Sequence, residues 1–305
     1  MSAGNSENLP WKTPEVADLA WAIGSSSLVA PEFADLCEGV PPRISDDDWC
    51  KAQLHAMRDE LRGMDENPSQ LRALIASRKD QRLGAYFEDL LGFWLEASSA
   101  YELIAHRLAV RVDGRTLGEF DFIVRDRVSG EYEHWEVAVK FYLGLSPDAP
   151  WSQWIGPGRQ DTLEKKLRHL SGKQLRLTER PETRARLEAL GIDDIHPRLF
   201  LKGRLFYPAM APARFKPECQ VPQGVNPEHL SGWWCTESQF QANGNDHEWQ
   251  PLTKFDWLTA CESRPGPVSR AFPLHFPLGV IGRDEHGAPS RGFIVPDGWL
   301  NGGAA

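Results

Sequence analysis

Three ionisable residues fall where the surrounding pattern is that of buried strands. Asp121 lies within Gly118-Glu119-Phe120-Asp121-Phe122-Ile123-Val124, on the face opposite Phe120, Phe122 and Val124 and shared with Glu119. A carboxylate in the middle of such a strand is solvated, paired or bound to a metal, because an unpaired buried charge is expensive. Glu136 and Lys140 stand four residues apart in the next strand-like run. Period two puts both on one face with Ala138 between them, while Trp135, Val137, Val139 and Phe141 point the other way. If the two strands pair through a short turn, like faces align and two acids converge with an ammonium. The competing reading is a Glu–Lys pair on the solvated side of a half-exposed sheet.

Further polar residues point toward the same place. Glu88 sits at the margin of the apolar helical stripe Phe87, Leu91 and Trp94. Gln174 falls inside the stripe of Leu163, Leu167, Leu170 and Leu177, an odd position for an amide unless something polar faces it. Lys166 and Lys173 flank that stripe. Residues 155–180 carry seven Lys or Arg, Arg159 among them, against three acids. A solvated amphipathic helix explains such a run equally well.

The elements that must hold these groups are legible around them. Helical spacing with a Phe87, Leu90, Leu91, Trp94 and Leu95 stripe runs from Arg82 to about Ser98. Three antiparallel strands follow at Tyr101–Val112, Thr116–Arg125 and Tyr132–Leu143, joined by turns at Asp113-Gly114 and Ser129-Gly130. Gly144–Gln160 is rich in Pro, Gly and Trp and reads as a long loop. Asp161–Leu177 is helical, and Pro197–Tyr207 is a fourth strand. Before this core, a helix follows Thr13-Pro14-Glu15, a second follows the cap Ser45-Asp46-Asp47-Asp48, and a third opens at Pro68-Ser69. Beyond Pro208 the chain is rich in Trp and Pro, with short strand candidates near Trp249–Trp257 and Arg291–Val295.

Composition sets the bounds. The 305 residues, 41% hydrophobic and 25% charged, are those of a globular chain able to bury a sizeable core. A net charge of −9 argues against a general nucleic-acid coating protein but leaves room for local basic patches. Residues 31–70 hold ten acids and four bases, a poor nucleic-acid surface. Five cysteines without a C-x-x-C pair remove the zinc-ribbon and thioredoxin-like readings and are expected as buried free thiols. No apolar run is long enough to span a membrane, and the polar first residues lack a signal-peptide pattern, so a cytoplasmic location without membrane partners is expected.

The order α-β-β-β-α-β, with a strand acid at Asp121 and an acid followed by a lysine on the next strand, resembles the PD-(D/E)XK nuclease superfamily. The strings Leu83-Gly84-Ala85-Tyr86-Phe87-Glu88, Glu119-Phe120-Asp121-Phe122 and His134-Trp135-Glu136-Val137-Ala138-Val139-Lys140-Phe141-Tyr142-Leu143 also resemble a bacterial domain-of-unknown-function family, numbered 1853. The second resemblance covers most of the chain; the first covers about Arg82–Tyr207. Together they imply an α/β (α+β) fold with a restriction-endonuclease-like core at 81–210 and a mixed central sheet. An N-terminal helical cap occupies 1–80, and a Trp/Pro-rich extension at 211–305 packs on the core.

The superfamily resemblance implies metal-assisted hydrolysis of a phosphodiester in DNA or RNA. Asp121 and Glu136 would hold Mg²⁺ or Mn²⁺, with Glu88 joining the metal shell. Lys140 would orient or deprotonate the attacking water, while Gln174, Lys166, Lys173 and Arg159 would face the substrate. One departure is plain. The superfamily acid stands two residues before the lysine, where this chain has Ala138, and Glu136 is about 7 Å farther along the strand. A catalytically silent nucleic-acid- or protein-binding module built on the same fold is the alternative. A purely structural Glu136–Lys140 pair ranks below both. Trp233-Trp234 and Trp249–Trp257 could stack on bases, but core packing is the stronger expectation.

Overall fold

Pro14 opens α1 (Pro14–Gly24), and the preceding Thr13 hydroxyl bonds to the Asp65 carbonyl instead of capping the helix. The computed structural model describes residues 11–215, 221–243, 249–259 and 273–301. A short strand β1 (Arg43–Ile44) leads to α2 (Asp47–Ala56), whose first turn is capped by the Asp46 carboxylate accepting Trp49 N–H at 2.9 Å. The chain breaks at Met57 and restarts as α3 (Arg58–Glu66), so the second expected helix is two. α4 (Ser69–Ser77) and α5 (Leu83–Ala97) complete the helical N-terminal part.

The three expected strands are present as β2 (Tyr101–Val112), β3 (Arg115–Asp126) and β4 (Tyr132–Gly144), antiparallel in sequence order. In the Gly144–Gln160 segment a single 3₁₀ turn at Trp151–Gln153 precedes β5 (Trp154–Ile155), which pairs back onto the end of β4. α6 (Leu163–His169) is shorter than the expected helix. It runs into a π turn at Leu170–Gln174, where the Leu175 amide reaches the Leu170 carbonyl at 3.0 Å, and then into a 3₁₀ turn at Leu177–Glu179. The one-residue insertion lets Leu170 and Leu175 both reach the core, and such bulges gather at functional positions. α7 (Pro181–Glu188) and β6 (His196–Pro208) follow.

β6 lies parallel to β4 from Glu133↔His196 to Leu143↔Phe206. Both are covered on their two faces, although each still carries polar residues within the run, Glu136 and Lys140 in β4 and Arg198 and Lys202 in β6. Trp135, Val137, Val139, Phe141 and Leu143 join α1 and α5 in one cluster. Ala138 and Tyr142 face Leu163, Leu167 and Leu170 of the other layer. Burying each large aliphatic or Phe side chain contributes roughly 1.5–3 kcal/mol. Gly203, at φ 147°, sits opposite Lys140 in this ladder, and a Cβ there would lie 1.7 Å from the Lys140 carbonyl oxygen. Only glycine permits so close an approach.

The later part of the chain extends the same sheet. β7 (Ser231–Thr236) pairs parallel with β6 and leads into α8 (Glu237–Asn243); β8 (Gln250–Pro251), β9 (Leu278–Arg283) and β10 (Pro289–Val295) complete the order β2-β3-β4-β6-β7-β10-β9-β8. The strand candidate near Trp249–Trp257 therefore shrinks to two residues, followed by a 3₁₀ turn at Phe255–Trp257. The result is a mixed α/β architecture around one large sheet. Trp233, Trp234 and Trp249 are buried within it, so they serve packing and present no stacking surface.

Candidate functional site

The β3–β4 ladder runs from Arg125↔Tyr132 to Phe122↔Trp135 and ends there. At the next position the Asp121 carboxylate accepts the Val137 N–H at 2.9 Å, filling with a side chain the bond that the strand no longer supplies. The distortion reaches β2, whose Arg107 falls between the pairs His106↔Phe122 and Leu108↔Phe120, opposite Asp121, with φ 52°. It also corrects the strict alternation expected of β3. Phe122 and Val124 face α5, whereas Phe120 turns to the other layer with Ile123 and meets the His134 ring edge-on at 4.6 Å. Irregular pairing of this kind re-aims side chains near sites.

Glu136 points into the opening and is 2% exposed. The Gln174 amide, brought over by the π turn, donates to both of its oxygens at 3.3 Å. That answers the question posed by an amide inside an apolar stripe. Burial pushes the Asp121 carboxyl up to about 7, with the Val137 N–H opposing and the Glu88 charge adding to the rise. Burial first, then the Asp121 charge, drives Glu136 well above the usual carboxylate range; Lys166 and Gln174 pull it down. Burial lowers Lys166 while Glu136 and Asp121 hold it up. Asp121, Glu136 and Lys166 thus act on one another through their charges, and Gln174 is hydrogen-bonded to Glu136 at their centre.

The other expected site residues are engaged elsewhere. Lys140 lies on the predicted strand face, yet its ammonium is bonded to Asp161 Oδ2 at 2.7 Å, and the Tyr142 hydroxyl donates to the same oxygen at 3.1 Å. Glu88 Oε1 takes the Arg107 guanidinium at 2.6 Å and contacts His106 at 3.0 Å, so it joins the group by its charge and is already paired. Arg159 does not face the carboxylates: its guanidinium bonds to the Trp299 carbonyl and lies 5.0 Å from the Trp299 ring centre. Lys173 is exposed beside Gln174.

Three residues were not among the site residues expected from the sequence, although the period of two already puts His134 on the Glu136 face. Asp161 directly precedes the α6 cap, where Thr162 Oγ1 accepts Lys165 N–H at 3.2 Å, and its charge beside a basic run was the available signal. Tyr142 continues the Glu136–Ala138–Lys140 face by the same period of two. His134 precedes it on that face, is fully buried, and stands 3.9 Å from Glu136 Oε2 with neither ring nitrogen hydrogen-bonded. Burial lowers it to about 3, so the ring is neutral.

Among the described residues no group of three or more His, Cys, Asp or Glu is placed to hold a metal ion. Asp121 and Glu136 nevertheless fit a cation by donor chemistry. Both offer hard oxygens, and both are carboxyls whose charged forms the site disfavours until positive charge is supplied. Cys50 and Cys235 are buried free thiols and Cys37 a half-buried one; Cys219 and Cys261 lie outside the described residues. No helix among the described residues is long and apolar enough to cross a membrane.

The family described as Domain of unknown function (DUF1853) matches residues 17–272. No curated protein and no solved structure matches the chain.

Proposed function

The chain belongs to the DUF1853 family, and we propose that it is a divalent-cation-dependent hydrolase of phosphodiesters in DNA or RNA, built on a PD-(D/E)XK-like core. The observation that carries this reading is the meeting of Asp121 and Glu136 where β3 and β4 part, under Lys166 and Gln174 from the following helix. The order α5, β2, β3, β4, α6, β6 supports the restriction-endonuclease-like topology. Asp121 and Glu136 would hold Mg²⁺ or Mn²⁺, and Glu88, paired with Arg107, would add negative charge beside them. A bound cation of this kind polarises a phosphoryl oxygen and makes a water acidic. Lys166 faces the phosphate beside Gln174. Lys140, held by Asp161, orients the attacking water.

A second reading has its own support: the position two residues before Lys140 is Ala138, and the Lys140 ammonium is already committed to Asp161. In that case the protein binds a nucleic acid or a protein without cleaving it. A calorimetric Mn²⁺ titration of the wild type beside the Asp121→Asn/Glu136→Gln double variant separates the two. The hydrolase reading expects binding in the wild type, its loss in the variant, and Mn²⁺-dependent cleavage of DNA or RNA oligonucleotides that follows the same pattern. Absence of Mn²⁺ binding, both free and with oligonucleotide present, together with partner binding indifferent to EDTA, would leave only the silent module.

A further inference from the structure

Trp299 reaches across the fold to the loop that precedes α6. Its indole N–H donates to the Pro157 carbonyl at 2.9 Å, and its own carbonyl accepts from the Arg159 guanidinium, which also lies 5.0 Å over the ring. The indole is buried with its centroid 5.4 Å from that of Trp234, whose N–H donates to the Gly144 carbonyl at 2.8 Å. Both ends of the β4–α6 connection are therefore gripped by indoles from the later part of the chain.

Within that grip the loop is tightly closed. Arg159 N–H donates to the Gly156 carbonyl at 2.8 Å, and Gly156 N–H to the Asp161 carbonyl at 2.9 Å. Arg159 adopts φ 61°, a left-handed conformation that a non-glycine residue keeps only when its surroundings over-determine it. Gly158 alone adds backbone freedom to this turn, since Pro157 fixes its own φ. Asp161 closes the loop and receives Lys140 and Tyr142. The Lys140–Asp161 pair is half-exposed, and such pairs are ordinarily too weak to hold a lysine in one place. Here the carboxylate is fixed by its backbone.

We infer that Trp299 and Arg159 are positioning residues for Lys140: they fix the 156–161 loop, the loop fixes Asp161, and Asp161 fixes the lysine ammonium. The inference goes beyond the hydrolase reading and stands whether or not the neighbouring carboxylates cleave anything.

The test is amine acetylation of the full-length protein, followed peptide by peptide by mass spectrometry, in the wild type and in Asp161→Asn, Arg159→Gly and Trp299→Phe. Lys79, exposed, gives the reference rate, and Lys202, fully buried, reports opening of the fold. Asp161→Asn is expected to raise Lys140 labelling on the order of threefold to fivefold, the release of one weak ion pair. Arg159→Gly and Trp299→Phe are expected to raise it as well while Lys202 stays unlabelled. Wild-type labelling of Lys140 in Arg159→Gly or in Asp161→Asn would overturn the inference. So would a rise in Lys140 that Lys202 matches, since that is general loosening. If Trp299→Phe does not fold, Arg159→Gly alone decides.

Discussion

The Asp121 carboxylate accepts the Val137 amide proton at 2.9 Å, so one residue both ends a ladder and seals the end it leaves. The arrangement lets β3 and β4 part without orphaning a backbone donor, and the space between them is where Glu136, Gln174 and Lys166 meet. A side chain that completes the backbone in this way is itself held rigidly. It cannot retreat from Glu136 when both would ionise.

Stability should therefore fall as pH rises. A carboxyl whose pKa is higher in the fold than in the unfolded chain binds its proton more tightly when folded. Its contribution is complete below about pH 4 and is lost as pH rises through about 7, the value to which burial drives Asp121. Asp121→Asn keeps an oxygen for Val137 and removes the titration. We expect the variant to gain about 1–3 kcal/mol on the wild type between pH 5 and pH 8, read from urea midpoints. Parallel curves for the two proteins would contradict the assignment.

Cation binding should release protons. Asp121, driven to about 7 by burial, is largely protonated at pH 6, and Glu136 is likewise pushed above the usual carboxylate range, so a divalent ion must displace protons and Mn²⁺ affinity is expected to rise steadily from pH 6 to pH 8. Calorimetry in buffers of different ionisation enthalpy counts those protons directly. A release of none would mean that the ion, if bound, sits elsewhere.

The two lysines should separate. Lys166 acts on both carboxylates, whereas Lys140 is bonded to Asp161. Lys166→Met is expected to lower single-turnover cleavage by about 10²-fold or more. Asp161→Asn frees Lys140 and is expected to shift the pH profile of cleavage while changing its maximum less. Equal losses in both variants would erase the distinction.

Much of this was legible in the sequence, and the reasons differ from residue to residue. The alternation of Trp135, Val137, Val139 and Phe141 against Glu136, Ala138 and Lys140 fixes the two faces of β4, and the Leu163–Leu177 stripe exposes Gln174 as anomalous. Period-two reasoning fails at Phe120, because a ladder that ends early breaks alternation without leaving a mark in composition. It also misses Asp161 and Trp299. Their contacts, 21 residues from Lys140 and 140 from Arg159, depend on how the chain closes and not on any local period. The π turn hides similarly, since one extra residue leaves the leucine spacing nearly intact.

The paired tryptophans of β7 offer a further check. Trp233 is fully buried and its indole N–H donates to Ser290 Oγ at 3.1 Å. Trp233→Ala is expected to cost about 3–5 kcal/mol of stability in a denaturant titration. Any loss of nucleic-acid binding should then track the loss of folded protein. A folded, fully stable variant that had lost binding would restore the stacking role.

The sheet's continuity across Pro208 bears on how the chain can be divided. Leu205–Pro208 of β6 hydrogen-bond to Ser231–Trp234, and β7 in turn holds β10. A fragment ending near residue 210 would present that stretch of β6, with Phe206 and Tyr207 in it, as an unpaired apolar edge. An edge of that kind recruits strands from neighbouring molecules. Expression of the first two-thirds alone is expected to yield inclusion bodies, because the later strands are what covers that edge in the finished sheet.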